Sequence, residues 1–181
     1  TANSMHIVCE ALGMALPGSA PVLANSPKMF DFARRSGRRI VDMVWNDLKP
    51  RDILTPGAFR NAAAAVLAVS GSINCIKHLQ ATAIEAGVDV DVFQLFNDLG
   101  EQVPVLSAVS PNGSDTIEAF EAAGGARALM KQLESLLDLD ALTVTGRTVR
   151  DNLADVIISD EDVIRPLERP FADKPPIVVL H

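Results

Sequence analysis

Tyrosine is absent from this sequence, and aromatic residues make up only 4% of it. With Ala abundant, that scarcity favours helices packed closely through small side chains over an all-β sandwich. Cysteine occurs twice, at Cys9 and Cys75. Two cysteines in a chain this long build no disulfide framework, and their spacing is not that of metal ligands, so both read as small buried hydrophobes. Positive charge is in deficit: 16 Lys and Arg against 23 Asp and Glu leave a net charge of −7. That balance argues against a nucleic-acid partner, which selects basic surfaces. Long apolar runs are missing too. The longest, 62–69, falls far short of the ~20 residues that span a bilayer, and no charged-then-apolar leader is present. A cytoplasmic protein with no membrane partner is expected. Also missing are a Walker loop, Gly-x-Gly-x-x-Gly after a strand, His-Glu-x-x-His and Gly-x-Ser-x-Gly.

What is present is apolar: hydrophobic residues are 48% of the chain and mean hydropathy is +0.20. A chain of 181 residues with that content buries a sizeable core, as one domain or one domain with a piece of a second. Met5, Val8, Cys9 and Leu12 share a helical face. A helix that starts uncapped near residue 1 reads as one joined to something upstream. Ser26-Pro27 and Thr55-Pro56 each place a cap residue before a proline and predict helices to about Leu48 and Val69. The second is apolar nearly all round, as a buried central helix is. A further helix should run from Ile73 to Gly87, a short one from Asp91 to Leu99, one from Ser114 or Asp115 to Gly124-Gly125, another to Leu137, and a short one from Thr148. Strands are expected at 103–109, closed by Pro111-Asn112-Gly113, at 142–146, and in the β-branched runs 156–158, 163–167 and 177–180. The change in composition after Asp155 marks a domain boundary, dividing the chain into 1–156 and 157–181. The run 177–180, ending near His181, reads as an unpaired apolar strand edge, so the isolated chain is expected to depend on further contacts.

The basic cluster Arg34, Arg35, Arg38 and Arg39 lies among Asp31, Asp42 and Asp47. It reads as a solvated helix face or salt-bridge site, or as an anion contact. The most suggestive segment is Ser70-Gly71-Ser72-Ile73-Asn74 followed by His78. A Gly flanked by hydroxyls leads into a helix whose first turn offers free N–H groups and the positive end of a dipole, a place for a carboxylate or phosphate. Asn74 and His78, four apart, share a face. The alternative is structural: Ser72 caps the helix and His78 is a satisfied, partly buried imidazole. From residue spacing alone no catalytic residue and no metal ligand is assigned.

Several segments, in order, resemble the dihydroxy-acid and phosphogluconate dehydratase family, which includes the aldonic (sugar) acid dehydratases. Thr1-Ala2-Asn3-Ser4-Met5 and the stretch from Glu10 to Gly18 resemble the residues just after that family's third cluster cysteine. Gly37-Arg38-Arg39-Ile40-Val41, Arg51-Asp52-Ile53-Leu54-Thr55 and Ala58-Phe59-Arg60-Asn61-Ala62 continue the pattern. Ser70-Gly71-Ser72-Ile73-Asn74 with His78-Leu79 resembles its Gly-Gly-Ser-Thr-Asn and His-Leu element, with Ser70 replacing Gly and Ile73 replacing Thr. Ala123-Gly124-Gly125, Leu142-Thr143-Val144-Thr145-Gly146, Asn152-Leu153 and Val163-Ile164-Arg165-Pro166-Leu167 complete it.

This resemblance implies a helix-dominated α/β fold: part of a parallel-sheet N-terminal domain, then the first strands of a C-terminal β-barrel domain from 157. It implies elimination of water from a 2,3-dihydroxy acid or sugar acid to a 2-keto acid. An iron–sulfur cluster on three Cys, Mg2+ and an activated Ser serve that reaction in the family, and all their protein groups are expected upstream of Thr1 or downstream of His181. The chain is then expected to be an inactive fragment of a homo-oligomeric hydro-lyase. Ser72, Asn74 and His78 are its substrate-pocket candidates, and Thr1, Asn3 and Ser4 form the cluster-adjacent helix start. The competing expectations are a non-enzymatic helical binding or assembly module, and an acid-binding regulatory domain using the helix start at Ser72.

Overall fold

Five side chains sit just before an apolar-periodic run, and each accepts a backbone N–H of the first helical turn after it: Ser26 from Met29, Thr55 from Ala58, Asp91 from Gln94, Thr116 from Ala119 and Thr148 from Asp151. A computed structural model of the chain describes residues 3–179. Its helices are α1 (Ser4–Ala11), α2 (Pro27–Trp45), α3 (Pro50–Ile53), α4 (Pro56–Ala68), α5 (Asn74–Ala86), α6 (Val92–Gly100), α7 (Ile117–Ala122), α8 (Gly125–Gln132) and α9 (Val149–Leu153). A 3-10 turn covers Glu134–Leu136. The short α3 is not expected from the sequence pattern. It comes directly after Lys49, where Asp52 accepts the N–H of Lys49. The helix after Gly113 opens at Thr116 rather than at Ser114 or Asp115.

The core is built around α4. Ala62, Ala63, Ala64 and Ala65 are fully buried, and α1, α5, α6 and α8 pack against this helix. A methyl group at each position lets neighbouring backbones approach closely, so dispersion contact is gained without large side chains. Asn61, also fully buried, is satisfied: its Nδ2 donates to the Asp138 carbonyl (2.8 Å) and its Oδ1 accepts from the Asp138 N–H (2.7 Å).

The expected sheet is not there. Among the described residues there are isolated bridges (Val105 to Ala172, Val109 to Asp115, Leu142 to Thr148) and no strand, so neither a parallel sheet nor barrel strands are present. Residues 103–107 are buried, as a strand's would be, but their backbone groups go elsewhere. The N–H groups of Leu106 and Ser107 donate to the carbonyl of Ala68 at the end of α4, and Val105 exchanges bonds with Phe171 and Ala172. Segment 142–146 is a turn closed by Gly146 N–H on the Thr143 carbonyl. In the tail, Ile177 is buried, Val178 is exposed and Val179 N–H donates to Asn97. β-branched residues set a preference, but a ladder needs a second extended chain beside the first, and here loops and a helix end take that place.

Helix α2 is the least covered element. Met43 is its one buried residue, while Phe30, Ile40, Val41, Val44 and Trp45 are exposed, Trp45 to 83%. The basic cluster on it serves as a salt-bridge site: Arg35 pairs with Asp31 (3.7 Å), and Arg39 pairs with Asp42 (4.0 Å) and donates to the Val144 carbonyl.

The loop between α1 and α2 is pinned by Glu10. Its two carboxylate oxygens accept the N–H groups of Gly18 and Ala20, both at 2.8 Å, and Glu10 is 5% exposed. Burial raises its pKa from 4.5 to about 7, against the opposing pull of those N–H groups and of Arg127. A folded-state pKa above the unfolded one means the folded chain binds the extra proton between these two values. The contribution of Glu10 to stability is therefore fully present below the unfolded pKa and is lost as pH rises toward 7. We predict that the stability of the wild-type chain relative to Glu10→Gln falls by roughly 2 kcal/mol from about pH 5 to about pH 7. Urea titrations at the two pH values measure it, and parallel pH profiles for both proteins would refute it.

Candidate functional site

The candidate site begins where α4 stops. The N–H of Gly71 donates to the Val66 carbonyl (2.8 Å) and that of Ser70 to the Leu67 carbonyl (3.0 Å), the double bond pattern of a Schellman turn. Such a turn needs a left-handed residue, here Ser70 at φ +50°. The turn sends the chain across α1 with no space to spare. A Cβ on Gly71 would lie 3.1 Å from a Val66 methyl and 3.3 Å from Ser4 Oγ. This close passage lets the Ser72 N–H donate to Ser4 Oγ (3.0 Å), and Ser72 Oγ accepts the N–H of Asn74 (3.3 Å).

Two helices therefore start side by side. The N-cap residues Asn3 of α1 and Ile73 of α5 supply no side-chain cap. A third wall comes from the turn 109–113. Asn112 donates its backbone N–H to the Val109 carbonyl (3.0 Å) and its side-chain Nδ2 to the Ser70 carbonyl (2.5 Å). The cavity enclosed by these pieces measures about 780 Å³. Asn3, Ser4, Ser72, Asn112 and Thr116 supply polar groups, Ile7 and Ile177 an apolar floor, and no lining residue is charged. In a chain of net charge −7, a neutral cavity facing two positive helix ends is suited to an anion that also carries hydroxyl groups.

The sequence-predicted residues divide. Asn3, Ser4 and Ser72 line this one cavity, although Asn3 and Ser4 are 66 or more positions from the 70–74 segment. Thr1 lies outside the described residues. Asn74 is exposed and joins the cluster through its backbone only. His78 does not join it. Its ring is exposed, in a separate groove of about 680 Å³ with Met5, Arg51, Thr82 and Glu85. One helical turn on from Asn74 is enough to carry it off the cavity, and the packed imidazole of the alternative reading is not found either. Asn112 and Thr116 are site residues that sequence reasoning misses; Pro111-Asn112-Gly113 signals only a strand stop.

The cavity is lined by no carboxylate, thiol or imidazole. Cys9 is half-buried and Cys75 buried, both free. Burial raises the pKa of Cys9 and pushes that of Cys75 up to about 11, so neither offers a thiolate at neutral pH. Among the described residues no three His, Cys, Asp or Glu side chains gather as a metal site. Among the described residues no set of side chains is gathered that fits an iron–sulfur cluster or a magnesium ion. No helix among the described residues is long and apolar enough to cross a membrane.

Comparison with known proteins places this geometry in context. Residues 1–152 match the family described as dihydroxy-acid/6-phosphogluconate dehydratase, N-terminal. A dihydroxy-acid dehydratase of Acetivibrio thermocellus is 41% identical over 183 aligned residues, taking in all of this chain and 33% of that protein. One of Caldanaerobacter subterraneus is 42% identical over 99% of the chain and 33% of its own length. One of Ignicoccus hospitalis is 40% identical over 95% of the chain and 31% of its own length. The chain thus spans about one third of the relatives it matches.

The turn itself yields a prediction. Ser70→Gly relieves left-handed strain of ~1–2 kcal/mol and returns part of it as unfolded-state entropy, for a net gain of about 0.5–1 kcal/mol. Gly71→Ala pushes against Val66 and Ser4 and destabilises by about 1–3 kcal/mol. Urea midpoints of the two variants should move in opposite directions; a shared direction would refute the assignment.

Proposed function

Because this chain belongs to the dihydroxy-acid/6-phosphogluconate dehydratase family, we propose that it is the substrate-binding part of a hydro-lyase that removes water from a 2,3-dihydroxy acid or sugar acid to leave a 2-keto acid. The observation that carries this reading is the shared start of α1 and α5 on one uncharged, hydroxyl-lined cavity. The acid's carboxylate faces the two helix ends, where N–H groups and dipoles favour negative charge. Its hydroxyls meet Ser4, Ser72, Thr116 and the Asn112 amide, neutral groups that act as donor or acceptor as required. Ser4 and Ser72, held to each other, fix the distance between the helix starts and so pre-organise the anion site. His78 and Asn74 are left as outer residues.

The iron–sulfur cluster and Mg2+ that the family resemblance implies are assigned, in this reading, to ligands outside the chain, since the residues present do not fit them. Residues 1–156 belong with the domain that carries those ligands, and 157–181 open the next. The exposed face of α2 belongs to the assembled protein, most simply as a contact within a homo-oligomer. An apolar row ending in Val44 and Trp45, 73% and 83% exposed, is a liability in an isolated chain.

Two experiments test this. In the full-length protein, formation of 2-keto acid should be assayed with a branched-chain 2,3-dihydroxy acid, 6-phosphogluconate and other aldonic acids. One of these is expected to turn over, with Ser72→Ala raising KM about tenfold or more through loss of a hydrogen bond to an anion. No turnover of any acid, or an unchanged KM, would overturn the reading. The isolated 181-residue chain should self-associate in size-exclusion chromatography, and Val44→Lys with Trp45→Lys should reduce it. A well-behaved wild-type monomer would dismiss the role given to α2.

A further inference from the structure

Asn112 precedes Gly113, and no other asparagine in the sequence precedes a glycine. The fold demands that glycine: a Cβ at Gly113 would lie 2.0 Å from the Ala108 carbonyl oxygen, and backbone cannot yield that far. Glycine is also the residue that least obstructs attack of its own amide nitrogen on the preceding side chain. Asn112 and Gly113 are both exposed, and among the described residues the Gly113 N–H donates no hydrogen bond. The seven remaining asparagines all precede a residue with a side chain, Asn3, Asn74 and Asn97 preceding Ser4, Cys75 and Asp98. Asn61 has both ends of its amide bonded inside the core, and Asn152 is tied to Thr143 and Thr145. Asn25 and Asn46 precede Ser26 and Asp47.

We propose that Asn112 is a site of spontaneous deamidation whose product dismantles the cavity wall. The Gly113 backbone nitrogen, on losing its proton, attacks Asn112 Cγ. A carbon–nitrogen bond forms, the bond to the side-chain nitrogen breaks, and ammonia leaves with that proton. The resulting five-membered imide is opened by water at either carbonyl, giving aspartate or isoaspartate.

Aspartate puts a carboxylate oxygen where the Nδ2 donor now meets the Ser70 carbonyl, whereas isoaspartate runs the main chain through Cγ and carries its free carboxylate on Cα; both lose that donor. In aspartate two acceptors then face each other, and in isoaspartate the side-chain amide is gone, so the tie between the 109–113 turn and the left-handed Ser70 turn is lost in both. A negative charge also enters a cavity whose lining residues carry none. The chemical step depends on the turn alone, whereas its effect on acid binding rests on the function proposed above.

The full-length protein should be incubated at mildly alkaline and at mildly acidic pH, then digested and sequenced by mass spectrometry. The amide-to-acid mass gain should accumulate at Asn112 ahead of every other asparagine of these 181 residues, faster at the alkaline pH, and should be missing at that position in Asn112→Gln. No gain at Asn112, or an earlier gain at Asn25 or Asn46, would overturn the proposal whatever the cavity binds. Aged protein and Asn112→Asp should both show a several-fold rise in KM for the acid that is turned over. Conversion with unchanged KM in both would overturn the claimed consequence, and failure of all acids to react would count against the functional reading while leaving the mass measurement decisive for Asn112.

Discussion

Close approach to α4 is the constraint on which the other elements depend. Along its middle, Ala62–Ala65, no side chain beyond a methyl group stands between this helix and its neighbours, and Phe59 and Leu67 fill the space on either side of that stretch. Each alanine buries little area, so over this stretch the gain comes from many short contacts, added to the burial of Phe59 and Leu67. Larger side chains at these positions would push α1, α5, α6 and α8 outward together. The helix end matters equally. The Ala68 carbonyl, which the helix itself leaves unbonded, is taken by Leu106 and Ser107, so the buried extended segment is anchored on α4 rather than on another strand.

That anchor sets up the cavity. The Schellman turn at Ser70 converts the end of the central helix into a sharp change of direction, and the missing Cβ at Gly71 lets the chain graze α1. Two helices with unlinked sequences thereby share one starting point. Helix dipoles act over about a turn, so the two can act together at one place only because of this proximity. Asn112 holds the turn from the far side. The site is thus a set of backbone directions fixed by packing, with short neutral side chains spread over its surface.

Local signals are legible in the sequence wherever cause and effect lie within a few residues. Ser26-Pro27, Thr55-Pro56, Asp91 and Thr148 open helices as expected, because capping is a contact with a backbone N–H three positions on. The buried character of α4 is also legible, from apolar residues on all its faces. The strands are not. Residues 103–107 have the composition and burial of one, yet strand identity depends on a partner, and the partners here are a helix end and loops. His78 shows the same limit at the site. Its spacing from Asn74 does mark one face of a helix, but which cavity that face meets depends on how α5 lies against α1 and α3.

Taken alone, the sequence determined the family, the positions of most helices and the segment at which α4 turns, since motifs and caps are properties of consecutive residues. It also singled out Ser72 and the Asn3-Ser4 segment as helix starts. Only the tertiary structure decided that these two sets meet, that Asn112 joins them and His78 does not, and that the row of apolar residues on α2 faces outward. Those outcomes depend on the angle and distance between elements far apart in the chain, which are set by close packing on α4 and by which backbone groups find partners.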